Sequence, residues 1–315
     1  MSSLQAFSNN IADTVEEAGA AVVAVNAKTR FSPSGIHWRN GIIVTSDECL
    51  RQYDDITITV SDGRTIPVTL VGRDPSTDIA VFQFTANNEI ISTNISTSVA
   101  KIGDATTLKV GHLVLGLARS GEGDIRAAMG VVSVMTGQWR SMSGGKIDQF
   151  IRPDISLYPG MSGGPLVDAS SFVVGMNTSG KRGTALTIPA ATVNRVLDLL
   201  LSKGKVPQGY LGVAMQPVRL PESLTSALHL TSTLGVIIVN VEVNSPADKA
   251  GLLLGDVLIT FDNTSVADTS DVLGLLNSGD LVGKSVKAQV LRGGNLVELY
   301  VVVGDRHGAI APEEK

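Results

Sequence analysis

One stretch, residues 158–168 (YPGMSGGPLVD), most constrains what this chain can fold into. Glycine and proline surround the hydroxyl of Ser162, and a β-forming run, residues 172–176 (FVVGM), follows. Glycines let the backbone turn sharply, so that successive N–H groups can point into one small space beside the serine. Fixed N–H donors in such a space stabilise the negative charge that develops during acyl transfer. The pattern fits either a nucleophile loop or a glycine-rich turn between two strands.

The composition is that of a folded chain rich in short strands. Hydrophobic residues make up 43% of the 315 residues and charged residues 17%, which is typical of folded rather than disordered proteins. This length allows about two domains, each with its own core. The net charge is −5 and no basic patch is present, so nucleic acid and anionic membranes are poor partners.

Residues that could hold a metal or form a disulfide are few. A single cysteine, Cys49, excludes an intrachain disulfide and a thiolate zinc site. The histidines are scattered without the spacing of a metal site: His37, His112, His229 and His307. No cofactor or metal is therefore predicted. We expect His112 to pack between strands.

No targeting or membrane segment is evident in the sequence. The N-terminus lacks the basic and apolar regions of a signal peptide, and no apolar stretch is long enough to span a membrane. We therefore expect a cytoplasmic protein, or a periplasmic or lumenal one if a leader has been removed.

Turn signals divide the first half into hairpins. An amphipathic helix is predicted over residues 3–18 and a buried strand over residues 21–25. Residues 34–45 predict a hairpin around an Asn-Gly turn, and residues 56–70 predict a second around an Asp-Gly turn. Pro67 lies in the second hairpin, where it cannot donate to a ladder, so that strand should run along an edge or bulge.

Residues 158–168 resemble the nucleophile loop of the trypsin-like serine proteases, and specifically that of the HtrA (Deg) family. The resemblance implies that Ser162 is the nucleophile and that the N–H groups of Gly160 and Ser162 form the oxyanion hole. The family's Asp-x-x-Thr-Asp-Leu-Ala pattern matches residues 74–80, which implies that Asp78 is the triad acid. Where the family has Thr-x-x-His, residues 45–49 read TSDEC, so Glu48 occupies the position of the catalytic histidine.

The last third of the chain resembles a PDZ domain of the HtrA type, most specifically in residues 244–258 (NSPADKAGLLLGDVL). We predict a protease domain over residues 1–204, a linker over 205–209, a PDZ domain over 210–304 and a tail over 305–315. A helix is predicted at about 268–277 and a hairpin over 286–303. A PDZ domain adds a peptide as an extra strand and binds its terminal carboxylate with backbone N–H groups. The resemblance assigns this peptide site to Tyr210, Leu211, Gly212, Val213, Val272 and Leu276. For Val272 and Leu276, a position in the domain core is as consistent with the sequence as a position in the groove.

The predicted fold is mainly β: a trypsin-like double six-stranded β-barrel followed by a C-terminal PDZ domain. The resemblance implies unfolded or C-terminal peptide segments as partners, and a homotrimer in which the N-terminal segment contacts neighbouring subunits.

Three hypotheses follow from the missing histidine. In the first, catalysis is lost or severely weakened, and the protein binds peptides without cutting them efficiently. In the second, Glu48 is a working base at acid pH and shares a proton with Asp78. In the third, the protein is an ordinary endopeptidase whose base comes from elsewhere, for example from another subunit.

Overall fold

The computed structural model describes residues 2–28, 31–50, 54–84, 97–141, 143–180, 183–230, 232–277 and 281–306. The chain divides into two compact units, Met1–Val206 and Pro207–Lys315.

The first unit consists of strands between two helices. Its elements are α1 (Ser3–Gly19), β1 (Val22–Asn26), β2 (Ser34–Arg39), β3 (Ile42–Thr45), β4 (Thr57–Thr59), β5 (Thr65–Pro67), β6 (Thr69–Asp74), β7 (Ile79–Gln83), a 3-10 helix (Ala105–Thr107), β8 (Leu113–Arg119), β9 (Ile125–Thr136), β10 (Trp139–Arg140), β11 (Lys146–Ile147), β12 (Phe150–Pro153), β13 (Pro165–Asp168), β14 (Val173–Ser179), β15 (Ala185–Pro189) and α2 (Ala190–Lys203).

The first half of this unit is one sheet with the strand order β5-β4-β1-β2-β3-β7-β6. Both predicted hairpins are confirmed, since β2 pairs antiparallel with β3 and β4 pairs antiparallel with β5. The sheet has seven strands rather than the predicted six because residues 65–74 change partner at Val68. Before Val68 the segment pairs with β4, and after it the segment pairs with β7. Strands β5 and β6, which lie at the two edges of this sheet, are therefore consecutive in the chain, and Pro67 lies where the pairing partner changes.

The second half of the unit is a closed barrel with the strand order β12-β15-β14-β13-β8-β9. The glycine-rich run connects β12 to β13. Helix α2 ends at Gly204, whose left-handed backbone (φ 69°) caps the helix. This helix is fixed to the first half of the unit, where the buried indole of Trp38 donates from Nε1 to Asn194 Oδ1 at 2.8 Å.

A buried guanidinium, that of Arg119 at the end of β8, joins the start of the chain to the barrel. Nε donates to the Val22 carbonyl at 2.5 Å, Nη2 donates to the Gly19 carbonyl at 2.7 Å, and Nη1 donates to the Gly123 carbonyl. Only 5% of the residue is exposed. These carbonyl groups would be buried without donors if the guanidinium were removed.

The second unit is a sheet with three short helices. Its elements are β16 (Gly209–Tyr210), β17 (Val213–Arg219), α3 (Glu222–Ala227), β18 (Leu234–Val241), α4 (Pro246–Lys249), β19 (Val257–Phe261), β20 (Thr264–Ser265), α5 (Thr269–Leu276), β21 (Ser285–Arg292), β22 (Asn295–Val302) and β23 (Gly304–Asp305).

The main sheet of this unit has the order β17-β18-β19-β21-β22. The predicted hairpin is confirmed, because β21 and β22 pair in register from Ser285–Val302 to Arg292–Asn295. Helix α5 confirms the predicted helix, and Asp268 caps it by accepting from the Ser270 N–H at 2.9 Å. Strand β17 is an outer strand, so one side of its backbone is open to an added strand.

The prediction from this packing is that Arg119→Met destabilises the protein by about 2–4 kcal/mol, because it leaves buried carbonyl groups without donors. Urea unfolding measures the difference. The control is Arg126→Met, an exposed position on β9 that removes the same charge and should shift stability by less than about 0.5 kcal/mol. Equal losses in the two variants would contradict the role given to the buried guanidinium.

Candidate active site and peptide groove

A partly buried carboxylate, that of Asp78, lies where the sheet and the barrel of the first unit meet. Its Oδ1 accepts the backbone N–H of Glu48 at 2.7 Å, and its Oδ2 accepts the Ser46 hydroxyl at 2.8 Å. The Thr178 hydroxyl, on barrel strand β14, also donates to Oδ2. The structure therefore brings together Asp78 and Glu48, which are far apart in the sequence.

The turn that carries Asp78 is itself held by an acid. Asp74 accepts from the hydroxyls of Ser76 and Thr77, each at 2.6 Å. Asp78 then takes up the left-handed backbone conformation, with φ at 59°, which aspartate tolerates better than most residues. Burial raises the pKa of the Asp78 carboxyl, and the hydrogen bonds from Thr178 and from residues 46 and 48 partly offset that rise.

Glu48 lies at the mouth of the cleft, exposed as a residue although neighbouring atoms crowd its carboxyl. Desolvation raises the pKa of this carboxyl, and the negative charge of Asp78 raises it further. The Ser179 backbone and the Thr178 hydroxyl act in the opposite direction. The Glu48 carboxyl is thus directed toward β14. Within the described ranges, no hydrogen bond joins it to Ser162.

Ser162 has a polar neighbour that its sequence motif does not include, the thiol of Cys49. The Cys49 thiol interacts with the hydroxyls of Ser46 and Ser162, while burial raises the pKa of the thiol. Ser46 Oγ lies 3.6 Å from Cys49 Sγ. Glu48, Cys49, Tyr158 and Ser162 line a cavity of about 490 Å³. The only sequence signal for this contact is that Cys49 directly follows the histidine position.

The loop before β13 presents two backbone donors. The N–H groups of Gly160 and Ser162 have no acceptor in the part of the chain that the structure describes, whereas Met161 donates to Tyr158 at 3.0 Å. Gly160 has φ at 92°, a conformation that favours glycine. Gly163 is equally constrained, because a Cβ there would lie 2.1 Å from the Ser34 carbonyl oxygen. Two unpaired N–H groups beside a hydroxyl are the donor set that an oxyanion requires.

No described histidine lies in this site. His37 is 4% exposed, its Nε2 accepts the Gly41 N–H at 3.2 Å, and its Nδ1 lies 3.1 Å from the Ser98 carbonyl. Burial lowers the pKa of His37. The prediction for His112 is wrong, because its ring is exposed in a turn and accepts the Lys109 N–H at 3.3 Å rather than packing between strands. His229 is exposed on the second unit, and His307 lies outside the described residues.

A second large cavity adjoins the two carboxylates. It measures about 680 Å³, and its lining includes Glu48, Asp78, Trp139, Arg140 and Ser179. Its inner wall is apolar where Trp139 meets Phe150 edge to face, with ring centroids 5.2 Å apart. This cavity gives the cleft room for peptide side chains.

The second unit has a groove of about 300 Å³ between β17 and α5, lined by Tyr210, Leu211, Gly212, Val213, Leu273 and Leu276 among others. The N–H groups of Leu211 and Gly212 have no acceptor among the described residues. Of the two alternatives for Val272, the structure favours the core, because its side chain is fully buried there and is not among those that line the groove. The next residue, Leu273, is 43% exposed and lines the groove in its place.

Comparisons with known proteins agree with this arrangement. Residues 33–176 match the family of trypsin-like peptidase domains, and residues 209–303 match the PDZ domain family. The chain belongs to the HtrA (Deg) family. The mainly β fold, a trypsin-like domain with a closed six-stranded barrel followed by a PDZ domain, is confirmed.

Individual relatives match over most of this chain. The probable periplasmic serine endoprotease DegP-like of Chlamydia pneumoniae is 30% identical over 284 residues, covering 87% of this chain and 54% of the relative. The protein of the same name from Pseudomonas fulva is 30% identical over 275 residues, covering 84% and 54%. The solved structure of the HtrA-type protease AlgW with a decapeptide is 26% identical, has a TM-score of 0.72, and covers 94% of this chain and 98% of that one.

This HtrA-family chain spans about half the length of the curated relatives that it matches. Among the described residues, no helix is both long and apolar enough to cross a membrane.

The carboxylate pair predicts a specific pH dependence of stability. The pKa of Glu48 is raised in the folded state, so the folded protein holds this proton more tightly than the unfolded chain, and stability falls as the pH rises through that interval. Glu48→Gln should therefore raise the melting temperature at pH 8 by about 1–3 °C, a small gain because solvent screens the exposed group. At pH 4, near the ordinary pKa of glutamate, the gain should largely vanish.

Scanning calorimetry at both pH values measures these differences. Glu16→Gln, on the exposed face of α1, is the matched control and should give no pH-dependent gain. If Glu48→Gln gave the same gain at pH 4 and pH 8, the cost of ionising the desolvated Glu48 carboxyl beside Asp78 would not be its cause.

Proposed function

We propose that this protein binds unfolded or C-terminal peptide segments and that its proteolytic activity is lost or strongly impaired. The observation that carries the proposal is the position of Glu48. Its backbone N–H donates to Asp78, but its carboxyl is directed toward β14 and makes no hydrogen bond to Ser162 among the described residues.

The chemical reason is the lack of a suitable base. A serine hydroxyl is a weak nucleophile that needs a neighbour to accept its proton. Histidine suits this task because its pKa lies near neutral pH, whereas a carboxylate is a much weaker base. Loss of a triad member typically costs about 10⁴- to 10⁶-fold in turnover.

The features that support peptide binding do not depend on that base. The unpaired N–H groups of Gly160 and Ser162, the cavity beside Glu48 and the open edge of β17 are all present. In the groove of the second unit, the N–H groups of Leu211 and Gly212 also have no acceptor in the described part of the chain. Peptide recognition of the PDZ kind needs such donors and an exposed strand edge.

The alternative function is that of an active serine endopeptidase with Glu48 as base at acid pH. One observation favours it: burial raises the pKa of both Glu48 and Asp78, and the negative charge of Asp78 raises that of Glu48 further, so that one proton can be shared between them. A raised pKa also makes the Glu48 carboxylate a stronger base than an ordinary glutamate.

Casein cleavage from pH 4 to pH 8 tests the two functions. The proteins compared are the unaltered chain, Glu48→His, Ser162→Ala, and the double variant Glu48→His with Ser162→Ala. We expect Glu48→His alone to cut, near neutral pH, at least about 100-fold faster than the unaltered chain, because it restores a base beside a preformed oxyanion hole.

Cleavage by the unaltered chain that Ser162→Ala abolishes would contradict the proposal, and an acid optimum would then assign the base to Glu48. A fluorophosphonate provides a readout that does not depend on substrate choice. It should label Ser162 in Glu48→His, and slowly or not at all in the unaltered chain.

A further inference from the structure

The groove of the second unit contains a positive charge that the peptide-binding pattern does not account for. Arg306 follows β23 and lines the groove together with Leu211 and Gly212. Strand β23 pairs with β16 through Tyr210 and Gly304, and the Arg306 N–H then donates to the Gln208 carbonyl at 2.8 Å. The backbone that carries Arg306 is therefore fixed beside the strand that leads into the loop of free donors.

The guanidinium of Arg306 forms no ion pair with any described residue. The other charged group that faces the groove is Glu242, whose carboxylate accepts the Tyr210 hydroxyl. Among the described residues, the Glu242 carboxylate therefore has a partner in the Tyr210 hydroxyl, whereas the Arg306 guanidinium has no carboxylate partner. An anion entering this space would meet repulsion from the first and attraction from the second.

The Tyr210 hydroxyl connects this cation to the backbone donors. An ideal Cβ at Gly212 would lie 2.9 Å from the Tyr210 hydroxyl, which places that hydroxyl directly beside the loop. Arg306 is close enough to lower the pKa of this same hydroxyl, while Glu242 raises it more strongly. The cation, the hydroxyl and the two free N–H groups therefore surround one end of the groove.

We propose that Arg306 is a binding residue that pairs with the terminal carboxylate of a peptide held by the N–H groups of Leu211 and Gly212. This inference rests on the proposed peptide-binding function and adds a residue to it. The ligand class is a peptide with a free C-terminal carboxylate and an apolar last side chain, because Met215, Leu273 and Leu276 line the adjoining part of the groove. The charge of Arg306 offsets that of Glu242 and favours a free acid over an amide.

The test uses the full chain and fluorescein-labelled pentapeptides that end in valine, leucine or phenylalanine, each prepared as free acid and as amide. Fluorescence polarisation gives the affinities of the unaltered protein, Arg306→Gln and Glu242→Gln. Arg219→Gln is the charge-matched control, because Arg219 lies at the far end of β17, about 20 Å from the loop.

We expect Arg306→Gln to weaken binding of the acid peptide about three- to tenfold, in keeping with an exposed charge, and to leave amide binding unchanged. Glu242→Gln should tighten binding of the acid alone, and Arg219→Gln should affect neither form. The loss in Arg306→Gln should also shrink as salt is raised from 50 to 500 mM.

The outcomes separate this inference from the function on which it rests. If the unaltered protein bound none of these peptides, both the inference and the peptide-binding function would be overturned. If it bound acid and amide equally, only the inference would be overturned, because binding would not depend on a terminal carboxylate. If it preferred the acid and Arg306→Gln kept that preference in full, only the assignment of Arg306 would fail. An equal loss for acid and amide would likewise overturn the assignment, since it would indicate a structural effect.

Discussion

The site in the first unit depends on the hydrogen bonds that surround one partly buried carboxylate, that of Asp78. A main-chain N–H from residue 48 and a hydroxyl from Ser46 reach it from the end of β3, and the Thr178 hydroxyl reaches it from β14 in the barrel. These donors come from both halves of the unit. Burial disfavours the ionised form of Asp78 and so raises its pKa. A negative charge at this position therefore requires several converging hydrogen-bond donors.

The same bonds explain how the site keeps its shape with glutamate at position 48. The bond from residue 48 to Asp78 uses the backbone, so the side chain at that position can change without breaking it. Glutamate then places a second carboxyl near the first, where an imidazolium would carry the opposite charge. The backbone hydrogen bond to Asp78 is the same for either side chain, but the charge at position 48 changes from that of an imidazolium to that of a carboxylate. Proton transfer from a serine depends on that side chain.

Local turn signals predicted much of the fold, because they act over a few residues. The Asn40-Gly41 and Asp62-Gly63 turns each specified a hairpin, and Asp268 marked the start of α5. Details set by packing were not predictable. Helical spacing could not decide whether Val272 or Leu273 faces the groove. The only sequence indication that the Cys49 thiol meets Ser162 is that Cys49 directly follows the histidine position. The exposure of His112 likewise depends on where a turn leaves the barrel surface.

Peptide binding that uses backbone N–H donors can persist in a chain that has lost its catalytic base. Both proposed anion-binding positions consist of N–H groups set by a glycine with positive φ: Gly160 at 92° in the first unit and Gly212 at 76° in the second. A Cβ at Gly212 would lie 2.3 Å from the Ser245 Cβ, so this loop tolerates little but glycine. Changes of side chain elsewhere leave these donors in place. A general base, in contrast, is a single side chain, and one substitution removes it. Selection for peptide binding alone would therefore maintain the glycines while releasing position 48 to vary.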